Sequence, residues 1–407
     1  MNILHITAQK PNSTGSGVYM CGIIKGFEEL GYKQGVIAGI DIEDDELCFS
    51  NDISFYPVKF RTKELDFDLV GMSDSMPYNS TRYRDLNLDM VEKFKGEFSR
   101  KIKEAINNFK PDLIICHHLY LLTALTREIV KDIKIFGLCH GTCLRQLGNI
   151  DLEKEYIISN IGKLDKILAL HSKQKHIIKE IFAVDESKVE VIGSGYNKDI
   201  FYDKEYELDD RVINFTYAGK ICKSKGLKSL VKSISKLDYS KNSIQLNIVG
   251  NGSDIQQYEE IIEETKKSPF KIEFLGRLDQ NQLSEIFNKS HIFILPSFYE
   301  GLPVVVLEAL ACGSQVITTD IDGVKDWMGD EINNSGKIDY VKLPRMKGQG
   351  IPVEEDLERF EDDLYKAIKI RTNNLINRKS KINNINMNNK TWNGLSLRIS
   401  EIIENRL

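Results

Sequence analysis

No stretch of about 20 apolar residues occurs in this 407-residue sequence, so no segment is expected to cross a bilayer as a helix. Nor is there an excess of positive charge: 55 Lys and Arg stand against 60 Asp and Glu, a net charge of −5. Without a basic field nothing holds a polyanion by counterion release, and nucleic acid is not an expected partner. The first residues, MNILHITAQK, carry no basic leader and no small-residue cleavage site, and read as a β-strand. Cysteine is sparse: seven residues (21, 48, 116, 139, 143, 222, 312), an odd number with no C-x-x-C pair, several inside apolar runs such as LIICHH and IFGLCH. Such usage is expected of free thiols in a reducing cytoplasm. Localisation is therefore read as cytoplasmic, with peripheral contact at the inner membrane face left open. Cys116, His117, His118, Cys139 and His140 lack the spacing of a zinc knuckle, and strand neighbours point to opposite faces, so no metal is expected.

What is present is a globular composition, 41% hydrophobic and 28% charged, in a chain too long for a single core. Short β-branched runs alternate with amphipathic stretches, the pattern of α/β units with parallel sheets covered on both faces. The strand candidates are NILHIT, QGVIAGI, DLIICHH, KIFGLCH, DKILAL and KVEVIG, then INFTYAG, SIQLNIVG, KIEFLG, HIFIL and QVITT. Leu227, Leu230, Val231, Ile234 and Leu237 fall on one helical face and are read as core. The segment 193–210, GSGYNKDIFYDKEYELDD, has turn residues and charge but no period, and is the candidate hinge. Residues 373–394 are rich in Asn and Lys, and the last stretch regains helical period at Leu395, Leu397, Ile399, Ile402 and Ile403.

Four segments carry chemistry. In HIFILPSFYEGLPVVVLEALACGSQVITT a strand, a loop, a helix and a glycine stop follow one another, with Pro303 in the first helical turn and Gly313 after the last. The N–H groups of Gly301, Leu302 and Val304 then face a helix mouth, a ready site for phosphate. Glu300 precedes the helix and Glu308 lies on its second turn; each is either a sugar-binding carboxylate or an ordinary helix acid. In INFTYAGKICKSKGLKSL, Lys220, Lys223 and Lys225 crowd the loop after a strand, where they neutralise a diphosphate or form a solvated basic turn. In ITAQKPNSTGSGVYMCG, Gly15 and Gly17 permit close approach to the backbone, although G-x-G-x-x-G fails at Met20. In KIFGLCHGTCLRQL, His140 ends a strand as a polar contact, a proton handler or a structural histidine; His117 and His118 share that ambiguity.

Taken together these segments resemble the family 4 glycosyltransferases. The paired-glutamate motif E-x7-E is met by Glu300 and Glu308, and the basic loop G-R-L-x-x-x-K-G by Gly219, Lys220, Lys225 and Gly226, with lysine where arginine is usual. VIGSGYNKDIF is similar to the family's hinge phrase with Asn197 for Asp. Ser16 and Gly17 stand for its double glycine, CHGT for its histidine segment, LNIVGNG for its third glycine turn, FLGR for an arginine near the nucleobase, and Trp392 for the aromatic residue where the terminal helix crosses back. The resemblance implies a GT-B fold, two Rossmann-like doubly wound parallel-sheet domains facing a cleft. It places an acceptor domain at 1–195, with a returning helix at about 392–407, and a donor domain at 196–391.

It further implies a retaining, metal-independent hexosyl- or N-acetylhexosaminyl-transferase that takes a nucleoside diphosphate sugar, UDP-sugar favoured, and needs no cofactor. Lys220 and Lys225, with the amides after Gly301, would hold the departing diphosphate. Glu300 would contact sugar hydroxyls, Glu308 the ribose, Arg277 the nucleobase, and His140 the sugar from the opposite domain. Gly17, Leu302 and Pro303 complete the donor set, and Glu300, His140 and Lys225 are the catalytic candidates. Acceptor choice is expected in the insertion 65–86, from Tyr78, Arg82 and Arg84 beside Tyr83, an ordinary surface loop being the plain alternative. The acceptor is a glycan, a lipid or a small molecule. Two other functions are weighed: a non-catalytic sugar- or nucleotide-binding protein of the same fold, and an NAD-dependent oxidoreductase suggested by the first glycines and Asp41.

Overall fold

The computed structural model describes the chain except residues 45–48, 75, 209–210, 253, 378–384 and 405–407. The chain divides into two compact units, Met1–Gly195 with Thr391–Leu407, and Tyr196–Lys390. Among the described residues no helix is long and apolar enough to cross a membrane.

The first unit contains β1 (Asn2–Thr7), β2 (Lys33–Asp41), β3 (Ser54–Phe60), β4 (Val70–Gly71), β5 (Thr81–Arg82), β6 (Leu113–His117), β7 (Lys134–Leu138), β8 (Lys166–Ala169) and β9 (Val189–Val191). Seven of them form one sheet in the order β3-β2-β1-β6-β7-β8-β9, parallel throughout. β1 and β6 are the neighbours from which the chain winds in opposite directions, the topological switch point of a doubly wound sheet. Helices cover both faces, so the central strands are apolar runs rather than alternating ones; β6 is buried along its whole length. Helix Leu88–Phe109 shows the complementary rule, burying Val91, Phe94, Phe98, Ile102 and Ala105 at helical spacing, with Asn87 capping its start through Met90 N at 2.9 Å.

Three expectations change here. The insertion 65–86 is not only a polar surface loop: Leu65, Leu69, Val70, Met72, Tyr83 and Leu86 join the core of the first unit. In the terminal helix Trp392–Glu404, Leu395, Ile399 and Ile403 are buried, whereas Leu397 is 44% exposed and Ile402 half-buried, because only the i, i+4 row faces the rest of the unit. Cys21 is disulfide-bonded, where a free thiol was expected; Cys116, Cys139, Cys143, Cys222 and Cys312 are free, and Cys48 lies outside the described residues.

The second unit contains β10 (Ile213–Ala218), β11 (Ile244–Val249), β12 (Lys271–Gly276), β13 (Ile292–Leu295), β14 (Gln315–Thr319) and β15 (Ile338–Val341), followed by β16 (Met346–Gly348) and β17 (Ile351–Pro352). The first six form a parallel sheet in the order β12-β11-β10-β13-β14-β15, with its switch point between β10 and β13; β16 and β17 are a separate antiparallel pair. The helical face of Leu227, Leu230, Val231, Ile234 and Leu237 is buried, as its period requires.

Candidate functional site

The loops that leave β10 and β13 flank the switch point of the second sheet, where a doubly wound sheet opens a crevice. After β10 the chain turns at Gly219, passes a short 3-10 turn at Lys223–Lys225, and enters helix Leu227–Ser235 through Gly226 at φ +66°. A Cβ on Gly226 would stand 2.0 Å from the carbonyl oxygen of Pro296, so only glycine lets this loop lie on the one after β13. The two loops are tied by Phe298 N–H donating to Ser224 O at 2.9 Å.

That contact unites residues the sequence offers as separate candidates. Lys225 Nζ lies 2.7 Å from Glu300 Oε2, both side chains four-fifths covered, and also donates to Tyr299 O at 3.2 Å. Ser297 Oγ donates to the other Glu300 oxygen at 2.8 Å, which fixes the carboxylate. Lys223, grouped with these lysines in the sequence, turns away to Glu260 at 3.4 Å. Lys220 is exposed and forms no ion pair with a described residue, so its charge remains available to a ligand.

Beyond Glu300, Gly301 faces open space, and the N–H groups of Gly301 and Leu302 make no backbone hydrogen bond among the described residues. Val304 N–H, expected to be free with them, already donates to Leu302 O at 3.0 Å. Pro303 is the cap residue of helix Val304–Ala311 rather than its first turn, and Gly313 ends the element at φ +89°. Two amides and one dipole end thus remain to meet an anion.

Glu308 is half-buried, and its carboxyl makes no hydrogen bond or ion pair among the described residues. Loss of water around it raises its pKa from the ordinary 4.5 to about 8. A carboxyl raised in this way holds its proton in the folded chain between those limits, so it costs no stability below pH 4.5 and a growing amount as pH climbs to 8. Glu308→Gln is therefore expected to match the parent near pH 4.5 and to exceed it by up to about 4 kcal/mol at pH 8, at ~1.4 kcal/mol per pKa unit. Thermal midpoints measured across that range check this; parallel curves would reject a desolvated acid.

The turns after the neighbouring strands interlock. Gly250, at φ +131°, would place a Cβ 1.9 Å from Gly219 O, and its N–H donates to Gly276 O at 2.7 Å. Arg277 follows at the end of β12, exposed and without an ion pair to a described residue.

In the first unit, His140 belongs to a row of imidazoles that runs from within β1 to the ends of β6 and β7. His5 Nδ1 is 3.4 Å from His117 Nε2, the rings of His117 and His140 stack at 5.8 Å, and His118 lies 4.7 Å from His140. Burial holds His117 and His140 well below the ordinary 6.5, so both rings are neutral at neutral pH. His140 Nε2 has no partner among the described residues. His118 adopts φ +75°, a conformation that non-glycine residues rarely take, and its Nε2 meets Gln9 Oε1 at 3.1 Å. Sequence reasoning missed Gln9, whose only signal is its place just after the first strand. Among the described residues no group of three or more His, Cys, Asp and Glu is arranged to hold a metal.

Two other candidates have local explanations. Gly17 N–H is taken by the Thr14 hydroxyl at 3.1 Å, and a Cβ at Gly17 would sit 2.8 Å from Asn12 N, so the close backbone approach there is made by the chain's own loop. Arg82 pairs with Asp85 at 2.6 Å and Arg84 with Asp74, both at exposed positions, while Tyr83 is buried against Tyr120. Tyr78 alone of the acceptor candidates has a buried hydroxyl that no side chain among the described residues partners.

Two family models match in consecutive blocks, Glycosyltransferase Family 4 over residues 14–199 and Glycosyl transferases group 1 over 199–336. The chain belongs to the family 4 glycosyltransferases. One relative of this glycosyltransferase is an uncharacterized glycosyltransferase of Methanocaldococcus jannaschii, 28% identical over 59% of this chain and 63% of that protein. Another is a probable sucrose-phosphate synthase of Thermosipho melanesiensis, 23% identical over 89% and 88%. Among solved structures, sucrose-phosphate synthase from Thermosynechococcus elongatus superposes with a TM-score of 0.65 at 15% identity, covering 100% of this chain and 98% of that one. Anabaena Alr3699/HepE in complex with UDP-glucose gives 0.62 at 12% identity over 100% of both chains. The fold is GT-B.

Proposed function

We propose that this glycosyltransferase moves a hexosyl or N-acetylhexosaminyl group from a nucleoside diphosphate sugar, with UDP the favoured nucleotide, to an acceptor with retention of configuration and without a metal. The observation that carries this reading is the Lys225–Glu300 pair at the switch point of the second sheet, 2.7 Å apart, beside the two amides of Gly301 and Leu302. A cation and aligned N–H groups fixed where a diphosphate gains charge do the electrostatic work of a divalent ion. Lys225 and Lys220 meet the leaving diphosphate, Glu300 the sugar hydroxyls, Glu308 the ribose and Arg277 the base. The neutral His140 serves sugar hydroxyls, and the nucleoside diphosphate leaves the anomeric carbon on the face from which the acceptor oxygen bonds to it.

The oxidoreductase alternative is disfavoured by Asp41, which would have to accept a ribose hydroxyl but is held by Arg61 at 2.5 Å. The non-catalytic alternative is separated by turnover. In a thermal-shift panel of UDP-, GDP- and ADP-sugars, at least one, UDP-sugars first, is expected to raise the midpoint of the parent, and Lys225→Ala and Glu308→Ala to lose that shift. A parent that responds to none, or variants that respond equally, would sink the donor-site assignment.

A further inference from the structure

The β16–β17 hairpin stands apart from the six-stranded sheet of the second unit. Its own burial does not explain it: Met346 is 36% and Ile351 59% exposed, so it adds little to the core. A lone two-stranded hairpin is marginal in water, yet this one is anchored. Arg345 grips Asp356 with both Nε and Nη2, at 2.9 and 3.0 Å, and with its backbone N–H at 2.9 Å, while Val353 N–H donates to Arg345 O at 2.8 Å. The turn ends at Gly350, φ +72°, where a Cβ would lie 2.9 Å from Ser224 Cβ and 3.5 Å from Tyr299 Cβ. Ser224 precedes Lys225, and Tyr299 precedes Glu300 and accepts from Lys225 Nζ. The tip therefore presses on both loops that carry the ion pair, at their one shared seam.

We propose that the hairpin 346–352 is a brace of the donor site, with Gly350 a positioning residue that holds the Lys225 and Glu300 loops in register for the diphosphate. This rests on the donor-site reading above. A clamp at the base and a glycine at the point of contact are what a brace requires: rigidity at one end, and at the other no side chain to push the loops apart. A small displacement there moves Lys225 Nζ relative to the Gly301 and Leu302 amides, and convergent donors lose their common target.

The test uses the full chain and UDP, GDP or ADP, whichever the parent binds best by calorimetry. Asparagine tolerates positive φ, so Gly350→Asn introduces chiefly the Cβ contact with Ser224. Its affinity for the nucleotide is expected to fall five- to tenfold, with KM for the donor sugar rising more than kcat falls, and the double variant Gly350→Asn/Ser224→Gly to return to within twofold of the parent. A passive surface turn would shift the thermal midpoint without moving affinity or showing rescue. Should Gly350→Asn fail to fold, Arg345→Lys, which breaks the bidentate grip, is expected to weaken binding about threefold. A folded Gly350→Asn, or in its place Arg345→Lys, that binds as the parent does overturns the brace alone. A parent that binds none of the three nucleotides overturns the donor-site reading and the brace with it.

Discussion

Lys225→Ala is expected to lower kcat/KM for the nucleotide-sugar donor by roughly 10²- to 10³-fold, the usual cost of removing one preorganised group from a site of developing negative charge. The charge on the leaving diphosphate grows as the glycosidic bond breaks, so a cation fixed beside it favours the transition state more than the bound donor. That cation is paired with Glu300 at 2.7 Å. The pair keeps Lys225 in place before the donor arrives and stops a partly covered lysine from standing alone. The variant also strands the Glu300 carboxylate, which among the described residues keeps only the Ser297 hydroxyl. Part of the loss should therefore return in Lys225→Ala/Glu300→Gln, where no uncompensated charge remains, although the sugar contact of Glu300 is weakened. Lys225→Arg retains the charge in a bulkier, planar form and is expected to fall between. Steady-state kinetics on variants with unchanged far-ultraviolet dichroism decide this; a kcat/KM for Lys225→Ala within threefold of the parent would remove Lys225 from the mechanism.

Each half of this site was readable in the sequence, but its union was not. Glu300 and Lys225 lie in loops that follow different strands, and no local pattern says that the two loops touch. The contact comes from sheet order: β10 and β13 are neighbours, and the chain leaves them toward opposite faces. The glycine at 226 is the local trace of that contact, since its neighbour is Pro296 from the second loop. The raised pKa of Glu308 is likewise a property of what surrounds the helix, invisible in E-x7-E itself. Arg82 and Arg84 erred in the opposite sense. Their charge suggested ligands, but short-range acids, Asp85 and Asp74, take it up.

The same distinction between local and distant causes runs through the fold. Strands buried on both faces announce themselves as continuous apolar runs, and β1, β6, β13 and β14 were legible for that reason. β3 and β15 were not, and both stand at a sheet edge. β3 reads SFYPVKF, with a proline that an edge strand accepts because one side of its ladder is unused, and β15 reads IDYV, with an acid in the run. An edge position permits such a break in the pattern without requiring it, since the edge strands β9 and β12 are legible as KVEVIG and KIEFLG. The imidazole row is the converse case: its histidines were each visible, while their alignment across β1, β6 and β7 follows from parallel register, which pairs His5 with Ile115 and His117 with Leu138.

Gly22→Ala is expected to destabilise the first unit by about 3 kcal/mol, against the gain of about 1 kcal/mol that replacing a mid-helix glycine ordinarily brings. The reversal comes from the terminal helix. A Cβ at Gly22 would stand 2.3 Å from Trp392 Cδ2 and 2.4 Å from Cε2, and one at Gly26 would stand 2.3 Å from Ser396 Oγ. Two glycines one turn apart on helix Gly15–Glu29 thus form the shelf on which helix Trp392–Glu404 lies, with the indole edge-on to Tyr19 at 5.3 Å. A wide, rigid indole cannot retreat as a flexible side chain would, so the added methyl must separate the helices. For a unit of about 200 residues the midpoint should drop by roughly 6–12 °C. Trp392→Ala alone is expected to cost about 3–5 kcal/mol for the cavity it leaves. The two changes should not add: with the indole gone the methyl at position 22 has room, and Gly22→Ala/Trp392→Ala should be no less stable than Trp392→Ala alone. Thermal unfolding of the four proteins measures that coupling, and a full sum of the two losses would show that the strain at Gly22 arises somewhere other than the indole.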